Sequence, residues 1–363
     1  MEKKFLLAAH RALNLTAARF FKLKKFFGGN WEKIWHAEIA DLRAAELDPR
    51  GAEKFLRNRK KISPDAEIEK IEKCGAQILV LGEKNFPQQL ENIPQPPVIL
   101  FCRGEILPTD FPSISVVGSR KITNYGRRAA EKIVGEIADA GISIISGLAF
   151  GADTVAHEIA LAHNSRTIAV LGNGIDKIYP QKNFHFAEKF LAEKRGAILS
   201  EYFPGTEIRP ENFPTRNRIV AGLSLATIVL EAADRSGTLI TAGLAAEQGR
   251  EIFAVPGEIF SKNSVGTNKL ILRGNAHPAI SGAQILEHLK LKNISEKKAA
   301  KKKIPTTEIE QKILRIFGDE KIHIDEIIRA AAVSGAVVSS NISILEIKGL
   351  IKNLGNQFYA KNF

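Results

Sequence analysis

The stretch ISIISGLAFGADTVAHEIALAHNSRTIAVLGNG (142–174) decides the fold. Ile142–Ile145 is a short apolar run, and Ser146–Gly151 is a loop of small residues. Ala152–Ala162 places apolar side chains at helical spacing, and Thr167–Leu171 is again apolar before Gly172-Asn173-Gly174. Near-continuous apolar runs predict strands covered on both faces. A helix between two such runs predicts a parallel pair joined by a crossover.

The same alternation extends outward. Further strands are expected at Ile114–Val117, Ala197–Ser200, Leu225–Leu230 and Glu251–Val255, with helices at Gly126–Ala140, Phe184–Lys194 and Thr238–Gly249. This pattern predicts an α/β fold: a doubly wound, mainly parallel, Rossmann-like sheet with its core over 112–289, inside a domain spanning 62–289. Such a sheet places its ligand outside the carboxyl ends of the strands. The lead-in, 62–110, carries a short helix (Ala66–Lys73), a strand (Gln77–Leu81) and the stretch Pro94-Gln95-Pro96-Pro97.

Residues 1–61 read as a helical domain of SAM or helix-hairpin-helix type. Gly28-Gly29-Asn30 closes one helix, and Trp31, Ile34 and Trp35 begin the next. Residues 304–363 read as a winged helix, with helices at Thr307–Phe317, Ile324–Ala332 and Ser334–Lys348 and a hairpin turning at Gly355-Asn356. Between lies a Lys-rich linker, 290–303.

Of 363 residues, 52 are Lys or Arg and 40 are Asp or Glu, a formal charge of +12. Segment 1–61 carries +8 and the linker +6, whereas 62–289 carries −2 and 304–363 is neutral. An anion site in the central region must therefore be built from a few arginines and backbone amides. The linker is a solvated polycation that adds salt-sensitive attraction to nucleic acid. Apolar residues make up 44%, which excludes wholesale disorder. No apolar run approaches the roughly 20 residues of a spanning helix, so no membrane partner is expected. Cys74 and Cys102 stand far apart in no CxxC pair, which fits a reducing cytoplasm.

The strand ends carry the chemistry. They hold Gly118-Ser119-Arg120, the loop containing Gly147, Gly151 and Asp153, Gly172-Asn173-Gly174, and Ser236-Gly237-Thr238, with Phe213-Pro214-Thr215-Arg216-Asn217-Arg218 before the fifth strand. Glycines admit a ligand close to the backbone, helix N-termini point amides at it, and guanidinium forks match phosphate oxygens. There is no GxGxxG and no GxxxxGK[ST], so neither a nicotinamide cofactor nor nucleotide hydrolysis of that kind is expected. Asp153 and His157 are spaced i,i+4, but two ligands make no metal site. They read as helix capping and a surface pair. Glu201 and Glu231 are open to two readings: an acid–base pair, or carboxylates orienting the arginines and loop amides. Phe150 and Phe213 are either core residues or platforms for a stacked base.

The stretches VVGSR (116–120), SGLAFGADTVAH (146–157), LGNGIDKIYPQKN (171–183), SEYFPGT (200–206), FPTRNRIVAGLS (213–224), VLEAADRSGTLITAGLAAEQGREIFAVPG (229–257) and SVGTNKLI (264–271) follow in order. In them the chain resembles the DprA/Smf family of bacterial DNA-processing proteins. The resemblance implies a homodimer that binds single-stranded DNA and loads the RecA recombinase, with no catalytic residues, metal or cofactor. It also implies a DNA pocket at the strand ends. Where many relatives have a lysine after the proline of Tyr179-Pro180, this chain has Gln181, with Lys182 next. The expected phosphate-binding set is Gly118, Ser119, Arg120, Gly147, Gly151, Asn173, Lys182, Asn183, Arg216, Asn217, Arg218, Ser236, Gly237 and Thr238.

Two other classes stay open at this point. A phosphoribohydrolase of the lysine-decarboxylase-like type shares the sheet, but its PGGxGTxxE motif has only Gly237-Thr238 here, with Thr241 at the carboxylate position. A winged-helix regulator of duplex DNA is the other, although Ser334–Lys348 carries Lys348 as its one basic residue.

Overall fold

The computed structural model describes residues 2–291, 307–317, 321–348 and 350–361. The chain divides into two compact units, Met1–Ser295 and Glu296–Phe363. From residue 292 on, the Lys-rich run lies outside the described residues.

The first unit opens with six helices: α1 (Glu2–Leu13), α2 (Ala17–Phe26), α3 (Trp31–His36), α4 (Ile39–Ala44), α5 (Pro49–Arg59) and α6 (Pro64–Lys73). Side-chain caps start several of them. Thr16, Asn30, Asp48 and Ser63 each accept from an amide three residues on, which satisfies a donor the helix itself leaves free. These helices do not close on a core of their own. Leu7, Phe20, Ile34 and Phe55 belong to the same buried cluster as Leu100, Phe101, Val170 and Leu199 of the sheet. His10 stacks on Phe203 at 5.7 Å, and Phe203 meets Phe101 at 5.0 Å. Segment 1–61 and the α/β region are therefore one unit rather than two side by side.

The sheet has nine strands: β1 (Gln77–Val80), β2 (Ile99–Gly104), β3 (Ser113–Val117), β4 (Ser143–Ser146), β5 (Thr167–Leu171), β6 (Gly196–Ser200), β7 (Ala226–Val229), β8 (Glu251–Ala254) and β9 (His277–Pro278). Their spatial order is β1-β2-β6-β5-β4-β3-β7-β8-β9. From β6 to β9 every pair is parallel, while β2 meets β6, and β1 meets β2, antiparallel. The mainly parallel, doubly wound sheet expected from the sequence is thus present. The stretch 62–110 supplies an antiparallel edge, of which β2 was not foreseen.

Helices cover both faces: α7 (Asn124–Asp139), α8 (Ala152–Ala162), α9 (Phe184–Ala192), α10 (Asn212–Gly222), α11 (Gly237–Glu247), α12 (Val265–Leu272) and α13 (Gly282–His288). Strands β3 to β6 are buried at every position, which is why their sequences read as unbroken apolar or small runs. After β3 the chain winds to one side through β4, β5 and β6, then crosses back to β7, β8 and β9. The gap between β3 and β7, at their carboxyl ends, is the topological switch point.

The second unit is a winged helix: α14 (Glu308–Ile316), β10 (Ile322–His323), α15 (Ile324–Ala331), α16 (Gly335–Ile347), β11 (Ile351–Asn353) and β12 (Phe358–Lys361). Its sheet runs β10-β12-β11, all antiparallel, over a core of Ile313, Ile327, Val338, Ile342 and Leu345. Lys348, the single cation of its third helical segment, donates to both Glu310 oxygens at 2.8 and 2.7 Å. Among the described residues no single helix is long and apolar enough to cross a membrane.

Candidate functional site

A cavity of about 330 Å³ opens at the switch point. Its walls are the loop leaving β3 (Val117–Arg120), the start of α8, the approach to and first turns of α10, and the segment from Ala233 into α11. Eight of the fourteen expected residues line it: Gly118, Ser119, Arg120, Arg216, Asn217, Ser236, Gly237 and Thr238.

Arg216 forms the floor and is only 4% exposed. Its Nη1 donates to the carbonyls of Gly147 (2.8 Å) and Val170, and its Nε donates to Asn217 Oδ1 at 3.2 Å. The Asp153 carboxylate accepts from the amides of Gly147 (3.2 Å) and Ala149 (3.3 Å). Burial pulls Arg216 down to about 10 and pushes Asp153 up, while each charge holds the other back toward its ionised form. At about 10 the guanidinium is still a cation at neutral pH. A Cβ at position 147 would stand 2.3 Å from Arg216 Nη2, so any larger residue there would displace the buried guanidinium. Gly151 takes φ +77°, and its own Cβ would lie 2.3 Å from the Ser119 carbonyl. The Ala152 amide donates to that carbonyl at 3.0 Å, which fastens the loop after β4 to the loop after β3.

Arg120 stands on the rim. It is exposed, and its guanidinium lies 5.7 Å from the centre of the Phe213 ring. Tyr179 meets the same ring at 5.8 Å, although it does not itself line the cavity. On the other wall Thr238 Oγ1 donates to the Gly118 carbonyl at 3.1 Å. Ser236 Oγ is buried with no hydrogen-bond partner. An unpartnered hydroxyl and the first amides of α11, sharing a cavity with two guanidiniums, fit an anion with several oxygens.

Of the other expected residues, Asn173 and Asn183 hold neighbouring loops. Asn173 is buried, its Nδ2 donating to the carbonyls of Gly174 (3.0 Å) and Lys177 (2.6 Å). Asn183 Nδ2 donates to the Leu148 carbonyl and to Thr154 Oγ1, both at 2.9 Å, fixing the loop after β4. Lys182 is exposed on a short 3-10 turn and does not line the cavity. Arg218 is also outside it. Its Nη2 donates to both oxygens of Glu201, at 2.6 and 2.8 Å, with side chains 11% and 19% exposed. Of the two readings of the carboxylates, the geometry favours orientation. Glu201 holds Arg218, and buried Glu231 accepts from the amide (3.0 Å) and hydroxyl of Thr123 at the start of α7.

Asp153 and His157 are not a surface pair, because both are buried. His157 Nδ1 lies 2.6 Å from Thr167 Oγ1, and burial, with Arg216 adding to it, drives the ring down to about 3. Asp153 is the counter-charge of the floor, a role sequence reading missed. Its place in the first turn of a helix that starts at a glycine loop was the available signal. Phe150 is 44% exposed, whereas Phe213 forms part of the cavity wall. Thr241, at the position where the hydrolase motif has its carboxylate, lines the cavity and is buried.

Residues 77–290 match the family described as DNA recombination-mediator protein A, and residues 297–357 match the DprA winged helix domain. Protein Smf of Synechocystis is 33% identical over 91% of this chain and 92% of its own length. The DNA processing protein DprA of Streptococcus pneumoniae is 41% identical over 55% of this chain and 70% of its own. The crystal structure of the Streptococcus protein superimposes with a TM-score of 0.69 at 32% identity, covering 78% of this chain and 97% of that one. DNA processing protein A of Helicobacter pylori, studied for its single-stranded-DNA binding mode, superimposes at 0.53 with 30% identity, covering 60% and 97%.

Proposed function

Since this chain belongs to the DNA recombination-mediator protein A family, we propose that it binds single-stranded DNA across the switch-point cavity and delivers that strand to the RecA recombinase. The observation that carries this reading is the convergence, in one cavity, of Arg120, Arg216, the α11 amides and the unpartnered Ser236 hydroxyl. Phosphate oxygens accept from these donors, and a base stacks on Phe213 beside Tyr179. The binding of single strands by the Helicobacter relative supports the choice of ligand.

The protein acts without catalysis, in the cytoplasm, and as a homodimer. Asp153, the carboxylate lining the cavity, is held by two backbone amides rather than poised for proton transfer. Apolar side chains left in solvent, Ile259 (79% exposed), Phe260 (93%) and Leu272 (85%), supply surface for the second copy. The Lys-rich run 290–303 serves as a linker that adds sequence-independent attraction to phosphate.

Competition binding with matched oligonucleotides tests the central claim. Single strands should displace a labelled single strand at lower concentration than the duplex of the same sequence. Equal or better competition by duplex transfers the DNA-binding role to the winged helix.

A further inference from the structure

At the amino end of β8, across the sheet from the cavity, three ligand-type side chains meet. Glu251 begins β8, His277 begins β9, and His288 ends α13. His277 Nε2 lies 3.4 Å, and His288 Nε2 3.6 Å, from the same Glu251 oxygen, and all three atoms fall within 4.8 Å of one another.

We propose that Glu251, His277 and His288 form a binding site for a divalent transition-metal cation of the zinc class. A tetrahedral ion at zinc–ligand distances holds neighbouring ligand atoms about 3.4 Å apart, which the two nitrogen–oxygen distances nearly reproduce. The two imidazole side chains, 51% and 40% exposed, are free to rotate onto an ion. Two imidazoles with one carboxylate suit zinc, nickel or copper, whereas magnesium and calcium prefer oxygen ligands throughout.

The ligands are carried on paired or packed elements. Glu251 pairs with Ala226 of β7, and His277 pairs with Phe253. The buried Phe253 ring backs both imidazoles, at 5.6 and 5.3 Å. The imidazole rings stand only 4.3 Å apart. Three protein ligands leave a fourth position open to water or to a further donor. A bound ion would tie the end of α13 to the edge of the sheet and stabilise the unit.

The test is calorimetric titration of the full, tag-free chain with zinc, and separately with magnesium. One zinc per chain should bind saturably and raise the melting temperature, and magnesium should do neither. Cobalt at the same site should give visible absorption of the tetrahedral type. Removing even an outer-shell partner of a metal ligand costs about 10- to 100-fold in affinity, so His277→Gln or His288→Gln should each cost at least about 100-fold. Circular dichroism confirms that these surface variants stay folded. No saturable zinc binding by the parent, or undiminished binding by the H277Q/H288Q double variant, overturns the assignment.

Discussion

Replacing Arg120 by Ala should weaken single-strand binding by one to two decades and leave the fold almost as stable. The guanidinium is exposed, rests over Phe213 and has no ion-pair partner among the described residues, so its charge is available to a ligand. A hydrogen bond from a charged donor contributes about 1.5–3 kcal/mol, and about 1.4 kcal/mol is tenfold in affinity. On the stability side Ala loses only an exposed cation–π contact of about 0.5–1 kcal/mol, or about 1–2 °C in melting temperature for a unit of this size. Arg120→Lys should recover part of the loss, because it keeps the charge but not the planar fork. Arg218→Ala should behave in the opposite way. It strips Glu201 of its partner in a largely buried pair, at a cost of about 3–5 kcal/mol, and leaves DNA affinity nearly unchanged. Fluorescence anisotropy with a labelled oligothymidylate at fixed salt, alongside melting curves, reads both quantities. Unchanged affinity for Arg120→Ala would refute the reasoning, as would lost affinity with an unchanged melting point for Arg218→Ala.

Gly151→Ala should lower stability by about 2–5 kcal/mol, from left-handed backbone strain plus overlap with the Ser119 carbonyl, and should weaken DNA binding because the Arg120 loop moves. Melting and titration of one preparation check both effects. Acid should destabilise the first unit well before its carboxylates titrate. Burial holds His10 down to about 4 and His157 down to about 3, so the fold keeps them neutral while the unfolded chain takes up protons below the ordinary 6.5. Stability then falls from about pH 6.5 toward 4, at about 1.4 kcal/mol per pH unit per histidine. Denaturant curves of constant midpoint over that range would contradict it. Deleting 290–303 should reduce the salt dependence of binding by about 0.7 in log–log slope for each phosphate that the run neutralises, yet keep the preference for single strands. Loss of the preference itself would make the run part of the site.

The parallel strands were legible because burial on both faces leaves a near-continuous apolar signature, as in Thr167–Leu171. Strand β2 was not, although Ile99–Cys102 is as deeply buried, because the preceding Pro96-Pro97 reads as loop. Helix α10 was hidden by its buried arginines. Its inward face includes Arg216 and Arg218, so the apolar period that marks a helix is interrupted where the site is built. The cavity loops were legible from glycine, arginine and their position after strands. The pairing of Arg218 with Glu201 was not, because the two residues come from different elements and nothing local links them. The Glu251, His277 and His288 cluster was invisible for the same reason, since three separate elements bring it together.

The cavity holds its two arginines in opposite ways, and that division supports the single-strand binding proposed for it. Arg216 is ordered by carbonyls of the loop after β4 and of strand β5 and balanced by Asp153, so the cost of fixing its side chain is met on folding rather than on binding. Arg120 keeps its rotamer freedom and can follow a backbone whose phosphates do not sit at one fixed spacing. Beside it, Phe213 and Tyr179 offer ring faces, which accept any base. Fixed donors for one phosphate, a mobile cation for the next and a platform for whatever base lies between suit a flexible, unpaired strand of any sequence. A duplex keeps its base faces covered and its phosphates on a stiff rod, so the same residues can engage only part of it.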